Sequence, residues 1–154
     1  MTKKYTLSFI HRIAGITALI ILLIFWFSTV TTELSGHLNF IKNVKILIPY
    51  GFIFLIPALI IVSGTGSKMA GKINNPAIHH KKKRMPFIAL NGLIILIPCA
   101  LYLRYLAVHE HLDFTFFLIQ IVELIAGGVN ITLLMLNVLA GINLSKNKQR
   151  KLSM

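Results

Sequence analysis

The sequence predicts an all-α protein, a transmembrane four-helix bundle with both termini on the cytoplasmic side (N-in/C-in). Hydrophobic residues make up 56% of the 154-residue chain and charged residues only 13%, too few charges to cover a water-soluble globule of this size. The hydrophobic residues gather into four runs, three of which approach or exceed the roughly 20 residues that a helix needs to cross a bilayer. The whole chain, 1–154, is therefore predicted to be a single membrane domain.

The expected helices cover about residues 7–30, 46–66, 87–107 and 114–144. The first run is too long for the apolar core of a signal peptide, and no small-x-small cleavage pattern follows it, so we expect it to stay as a helix. Pro57 and Pro98 fall inside the second and third helices, where each removes a backbone hydrogen bond and is expected to bend its helix. A basic loop over residues 67–86 joins these two helices.

The placement of positive charge predicts the orientation of the bundle. The net charge is +12, and thirteen of the sixteen Lys and Arg residues fall on one side of the predicted helices. They are Lys3, Lys4, Arg12, Lys68, Lys72, Lys81, Lys82, Lys83, Arg84, Lys146, Lys148, Arg150 and Lys151. Because cytoplasmic loops carry an excess of Lys and Arg, both termini and the basic loop are predicted to be cytoplasmic. The run KKKR beside a helix start is typical of a segment that attracts anionic lipid, and no nucleic-acid partner is expected.

Polar and small side chains recur on one face of the fourth helix at steps of three and four residues. They are Gln120, Glu123, Gly127, Asn130, Leu134, Asn137 and Gly141. A carboxylate within a membrane span costs at least roughly 2–3 kcal/mol, so this face is expected to meet other helices or a wet cavity. The first helix carries a matching stripe of Ser8, His11, Gly15, Ala18, Leu22, Phe25, Thr29 and Thr32.

Helical rise assigns the polar side chains to two depths. An inner layer near the cytoplasmic side is expected to hold His11, Asn91 and Asn137. An outer layer of buried polar and ion-pairing groups is expected to include Glu33, Arg104, Gln120 and Glu123, with Asn130 also buried. In that layer Arg104 is the predicted counter-ion of Glu123 or Glu33. The alternative interpretation is that the asparagines hold helices together without a ligand, and that Arg12 is an interfacial anchor.

The six histidines raise the question of haem. Only His11 lies clearly inside a predicted helix. A haem bound there would take its second ligand from His79 or His80, from Met69 or Met85, or from His11 of a second chain.

Other chemistry has little support in the sequence. The run 109–113 (HEHLD) offers metal-binding groups, but loop histidines are typically solvated, so no dedicated metal site is predicted. No Ser, Cys or Thr has an evident His and acid at a compatible depth, so an autonomous enzyme is not expected. The single Cys99 excludes an intrachain disulfide.

Residues 8–15, SFIHRIAG, resemble the SxxHRxxG signature that opens the first membrane helix of the succinate dehydrogenase cytochrome b subunit. The resemblance implies that Ser8 and Arg12 contact quinone and that His11 lies beside the haem propionates. It covers eight of the 154 residues. That family has three membrane helices and a haem-ligating histidine in the second, whereas residues 46–66 contain no histidine.

A wider resemblance runs through TELSGH, KKKRMPFIALNGLIILIP and FFLIQIVELIAGGVNITLLMLN. These segments are similar to a group of small four-helix bacterial integral membrane proteins. The resemblance implies a multi-pass protein of the bacterial inner (cytoplasmic) membrane and carries no mechanism.

Three hypotheses for function follow. In the first, haem b or quinone binds near the cytoplasmic leaflet at a polar pocket of Ser8, His11, Arg12, Asn91 and Asn137. In the second, the chain is a small transporter or proton-linked carrier that uses Glu123. In the third, it is a non-enzymatic assembly or scaffold subunit, as a homo-oligomer or within a membrane complex, held by small-residue faces such as Gly127-Gly128.

Overall fold

The computed structural model describes residues 2–70 and 84–152, with side chains described for residues 5–69 and 84–143. The helices are α1 (Thr2–Ser35), α2 (Leu38–Ala70), α3 (Arg84–Val108) and α4 (Phe114–Leu152). The predicted all-α four-helix bundle is confirmed. His79, His80 and most of the predicted basic loop lie outside the described residues. The second helix begins at Leu38 and not near residue 46, a difference that matters for the site described below.

Each of these helices contains a segment that is long and apolar enough to cross a membrane. The segments are Tyr5–Ser35, Leu38–Met69, Arg84–Val108 and Phe114–Asn143. Many large apolar side chains are exposed on their outer faces, among them Ile53 and Phe54 of α2, each 69% exposed. Exposed apolar side chains of this size suit contact with lipid, so the chain is described as a multi-pass membrane protein.

Two short connections form one end of the bundle, called the turn end. Between α1 and α2, Gly36 has a φ of 65° and donates its N–H to the Glu33 carbonyl over 3.1 Å, a conformation that glycine adopts without strain. Residues 109–113 connect α3 to α4, and the Asp113 carboxylate accepts a hydrogen bond from the Phe116 N–H over 3.1 Å, which caps α4. The opposite end, where α1 begins and α4 ends, is called the terminal end.

The helices form a ring in which each packs against its sequence neighbours and α4 closes against α1. Two apolar clusters fill the ring at different heights. The turn-end cluster consists of Ile41, Leu103, Leu106, Ala107 and Phe116. The central cluster, nearer the terminal end, consists of Ala18, Leu22, Leu55, Ala58, Ile88 and Leu134.

Helix α3 contains a wider, π-helical turn at Asn91–Leu96. Ile97 donates its backbone N–H to the Gly92 carbonyl, five residues earlier, as a π-helix requires. Pro98 follows this turn, and proline has no N–H to donate to the preceding turn. The π turn is therefore the local form that the helix takes where Pro98 interrupts regular α-helical bonding.

A buried ion pair as the candidate functional site

The interior of the bundle, in the half nearest the turn end, holds an ion pair between Lys45 of α2 and Glu123 of α4. The Lys45 side chain is 2% exposed and the Glu123 side chain 12% exposed. The Lys45 Nζ also lies 3.4 Å from the hydroxyl of Thr29, which is buried on α1. Three helices therefore meet at one ammonium group, and the pair joins two helices that lie diagonally across the ring.

Lys45 is not among the predicted site residues, because the predicted second helix begins near residue 46 and leaves Lys45 in the connection before it. With α2 beginning at Leu38, Lys45 lies about 10 Å along the helix. It falls between Ile41 and Ile48 at steps of four and three, and all three residues are buried. That spacing, a lysine within an apolar stripe, is the signal in the sequence that points to this residue.

The ion pair lies between the two apolar clusters. Along α2, Lys45 follows Ile41 of the turn-end cluster and precedes Leu55 of the central cluster. Along α4, Glu123 lies between Phe116 and Leu134, which belong to the same two clusters. Apolar side chains therefore separate the charges from both ends of the bundle. The low dielectric around the ion pair strengthens the attraction between the two charges and makes an unpaired charge costly.

Two further acceptor oxygens are buried toward the turn end. Glu33 lies one turn beyond Thr29 on α1, and Gln120 lies one turn before Glu123 on α4. Within the described part of the chain, neither the Glu33 Oε1 nor the Gln120 Oε1 has a hydrogen-bond partner. Both residues belong to the predicted outer layer, and both oxygens are available to accept a bond from a group that moves.

Arg104 is not the counter-ion of Glu123 or Glu33 that the sequence predicts. Its guanidinium donates to the Tyr50 hydroxyl over 2.8 Å and lies 4.5 Å from the centre of the Tyr50 ring. The reason is the rotation of α3, which directs Leu103 and Ala107 into the turn-end cluster and leaves residue 104 at its edge. Lys45 takes the place beside Glu123 that had been assigned to Arg104.

The predicted inner layer separates into two groups. In the first, the Asn91 side-chain amide donates to the Ala126 carbonyl (2.8 Å) and to the Asn130 Oδ1 (2.9 Å). Asn130 in turn donates to the Ile88 carbonyl over 3.4 Å. These bonds join α3 to α4, which is the helix-holding role of the alternative interpretation.

The second group lies nearer the terminal end, around Gly66. His11 Nδ1 is 2.9 Å from the Thr65 hydroxyl, and a Cβ placed on Gly66 would lie 3.3 Å from His11 Cε1 and 3.8 Å from Met85 Cε. The Asn137 amide lies 3.6 Å from the Met85 sulfur, and the Asn137 Oδ1 is buried without a partner in the described part of the chain. All four helices contribute to this group, which is called the Gly66 cluster.

The five residues of the predicted pocket do not come together. Asn91 and Asn137 belong to different groups, because Met85, the neighbour of Asn137, lies six residues before Asn91, about 9 Å along α3. Ser8 is partly buried on the same face of α1 as His11, whereas Arg12 is exposed. The structure brings His11 and Asn137 into one cluster and separates Asn91 from them.

The surface of the turn end carries an exposed ion pair and a row of aromatic rings. Lys42 and Glu110 pair over 2.6 Å, and the hydrogen bond from Lys42, together with its charge, lowers the pKa of Glu110. The rings of Tyr102 and Tyr105 stack with centres 6.3 Å apart, and Tyr105 lies 4.3 Å from His109. Exposed tyrosines are typical of the membrane–water interface.

Comparisons with protein-family models, with curated proteins and with solved structures found no match for this chain. Among the described residues, no three His, Cys, Asp or Glu side chains are grouped closely enough to hold a metal ion. Function is therefore inferred from the geometry of the bundle.

Proposed function

We propose that this chain is a small proton-linked carrier of the bacterial inner membrane, in which Glu123 takes up and releases a proton. The observation that carries the proposal is the Lys45–Glu123 ion pair, buried between two apolar clusters. Ionisable residues inside membrane bundles typically mark proton relays and ion pathways. Packing alone does not call for two charges here, because a buried ion pair is often no more stable than apolar residues of similar size.

Protonation of Glu123 removes the charge that holds Lys45. The ammonium then keeps only the Thr29 hydroxyl, 3.4 Å away, among apolar neighbours. An uncompensated charge in such surroundings is unfavourable, so the lysine is expected to move toward the next acceptor. Glu33, one turn beyond Thr29 and with a buried oxygen that lacks a partner in the described chain, is that acceptor. In the proposed cycle Lys45 moves from Glu123 to Glu33 when Glu123 takes up a proton, and the return of Lys45 to Glu123 accompanies release of that proton.

The first test uses Trp26, the single tryptophan of the chain. Its indole N–H donates to the Leu124 carbonyl over 3.0 Å, beside Glu123, so its fluorescence reports on this part of the bundle. In lipid nanodiscs we expect the fluorescence of the native protein to titrate with pH and that of Glu123→Gln to stay constant. Glu110→Gln, which removes an exposed carboxylate, is the matched control and should titrate like the native protein. Identical titrations of the native protein and Glu123→Gln would contradict proton uptake at this site.

The second test measures carriage. In liposomes that contain a pH-sensitive dye, an imposed membrane potential is expected to drive proton uptake through the native protein and through Glu110→Gln. Uptake should fall to the level of protein-free liposomes for Glu123→Gln. Equal uptake by the native protein and Glu123→Gln, with both variants helical and monodisperse, would rule out a carrier that depends on Glu123.

A quinone or haem b site at the Gly66 cluster is a second candidate function. The Thr65 hydroxyl donates to the Ile61 carbonyl over 2.5 Å, so it accepts from the Nδ1–H of His11. In the same cluster, the buried Asn137 Oδ1, which has no partner among the described residues, is suited to accept from a hydroxyl group of a quinol. Haem suits the cluster less well, because close packing of His11 against Gly66 leaves little space for a macrocycle between α1 and α2.

A reduced-minus-oxidised visible spectrum of the purified protein distinguishes the two ligands. Sharp b-type bands that His11→Ala abolishes would identify haem. A flat spectrum, with quinone recovered by solvent extraction from the native protein and not from His11→Ala, would identify a quinone site. If the native protein contains neither haem nor quinone, this second candidate function is excluded and the proton-linked carrier is left.

A further inference from the structure

A groove crosses the outer surface of the bundle between α3 and α4. It has a volume of about 420 Å³ and is lined by Arg84, Phe87, Asn91, Val129 and Leu133. Phe87 and Val129 are 69% and 49% exposed, so the groove opens outward, where the spanning helices face lipid. This surface is called the α3–α4 groove.

The α3–α4 groove is charged at one end and largely apolar along its length. Arg84 is the first residue of the α3 span, at the terminal end, and Asn91 lies about 10 Å further along the helix. Phe87, Val129 and Leu133 supply the apolar walls. A positive charge at the terminal end of an apolar groove is complementary to an amphiphile with an anionic head group.

The π turn of α3 begins at the end of the groove that is farther from Arg84. Asn91 is its first residue, and the Asn91 amide is held in the bundle by the Ala126 carbonyl and Asn130. Gly92 follows with no side chain to fill the space beside Asn130. The groove is therefore a fixed feature of the α3–α4 contact, and π turns are frequent at functional sites.

No side-chain carboxylate of the chain is placed to neutralise Arg84. All four acidic residues lie in the half of the bundle nearest the turn end, away from Arg84. They are Glu33, Glu110, Asp113 and Glu123. Neither of the two ion pairs found among the described residues includes Arg84. Among the described residues no negative charge is available to Arg84, and the molecules beside a membrane-spanning surface are lipids.

We propose that the α3–α4 groove binds one anionic phospholipid. The Arg84 guanidinium donates to the phosphate, and one acyl chain lies along Phe87, Val129 and Leu133. The proposal is independent of the proton-linked function, since no residue of the ion pair lines the groove. The basic loop as a whole is expected to attract anionic lipid, and the proposal assigns one such lipid to Arg84 and the α3–α4 groove.

The test measures which lipid stays with the protein. Protein is equilibrated in mixed micelles with equal amounts of phosphatidylglycerol and phosphatidylcholine, purified in mild detergent, and examined by native mass spectrometry. We expect one retained phosphatidylglycerol, with retention about fivefold lower for Arg84→Gln, the factor that corresponds to the roughly 1 kcal/mol one basic residue contributes near anionic lipid. Lys68→Gln is the matched control, because it removes an exposed positive charge from the same end without altering the groove.

A second variant, Val129→Trp, fills the groove and leaves every charge in place. Its retention of phosphatidylglycerol is expected to fall as for Arg84→Gln, while inorganic phosphate at the same concentration is not retained by the native protein. Three results would each overturn the proposal. They are equal losses in Arg84→Gln and Lys68→Gln, equal retention of the two phospholipids, and native retention by a helical, monodisperse Val129→Trp.

Discussion

Lys45 occupies a position on α2 that its neighbours along the buried stripe, Ile41 and Ile48, fill with apolar side chains. Its ammonium meets Glu123 near the axis of the bundle and is close to the Thr29 hydroxyl. The nearby acceptors on Glu33 and Gln120 remain without partners in the described chain. The polar residues at this height are therefore more numerous than one ion pair requires.

Breaking the ion pair is expected to cost more than removing it. Lys45→Met leaves Glu123 buried without its counter-ion and should lower the free energy of unfolding by about 3–5 kcal/mol. The double variant Lys45→Met with Glu123→Leu should recover most of that loss, because two apolar side chains replace the pair without a stranded charge. Unfolding in mixed micelles with increasing SDS measures the difference. A double variant as unstable as Lys45→Met alone would contradict the assigned pairing.

The exposed pair of Lys42 and Glu110 predicts a response to acid. The pKa of the Glu110 carboxyl in the folded chain is lower than the ordinary value of 4.5, because Lys42 donates a hydrogen bond to the carboxylate and also attracts it electrostatically. Unfolded chains therefore bind this proton at higher pH than folded chains do. The stabilisation is fully present above about pH 4.5 and is lost as the pH falls through the lower folded-state pKa.

Carboxyl titration followed by NMR checks this prediction. Glu110 in the native protein should titrate at lower pH than Glu110 in Lys42→Met, and the difference should shrink at high salt because the pair is solvent-exposed. Coincident titrations would show that the two side chains do not pair in solution.

At the scale of the helices, small residues set how closely neighbours approach. The Phe25 ring of α1 packs directly over Gly51 of α2, so closely that an added Cβ would overlap the ring. On α4, a Cβ placed on Gly127 would lie 3.2 Å from the Trp26 ring of α1. The Gly127-Gly128 pair, a predicted face for a partner chain, is thus covered by Trp26 of the same chain.

Gly51→Ala is expected to separate α1 from α2. Overlap with the Phe25 ring should lower the free energy of unfolding by about 1–3 kcal/mol, the usual cost of overfilling a packed site. Gly64→Ala is the matched control on the same helix, because nothing lies within 4 Å of the added Cβ there. That control should be neutral or slightly stabilising, since alanine favours a helix over glycine. Thermal unfolding in detergent compares the two, and equal effects would contradict the close contact.

The periodic stripes on α1 and α4 were readable before the fold was known. The predicted α1 stripe includes Ala18, Leu22 and Thr29, and the predicted α4 stripe includes Asn130 and Leu134, all of which are buried. These predictions succeeded because a face of one helix is a local property, set by spacing of three and four residues. Boundaries were less accurate, since polar residues at a helix end, such as the segment 38–45, resemble a connection in sequence.

For the whole molecule, the orientation in the membrane stays a prediction. On a background of Cys99→Ser, we expect a membrane-impermeant maleimide added to intact cells to label Ser35→Cys at the turn end. Ser67→Cys, near the terminal end, should react only after the membrane is opened, because the excess of Lys and Arg predicts that this end is cytoplasmic. Both positions are exposed in the fold, so access depends on the membrane. The opposite labelling pattern would show that the bundle is inverted.

Hydropathy and helical spacing, read from the sequence alone, determined that this protein is a bundle of four membrane helices with polar stripes turned inward. Each of those properties depends on residues close together in the chain. Tertiary structure alone decided that Glu123 pairs with Lys45 and not with Arg104, and that Asn91 and Asn137 belong to separate groups. Such contacts depend on the rotation and height of one helix against another. A displacement by one residue along or around a helix brings a side chain to a different neighbour.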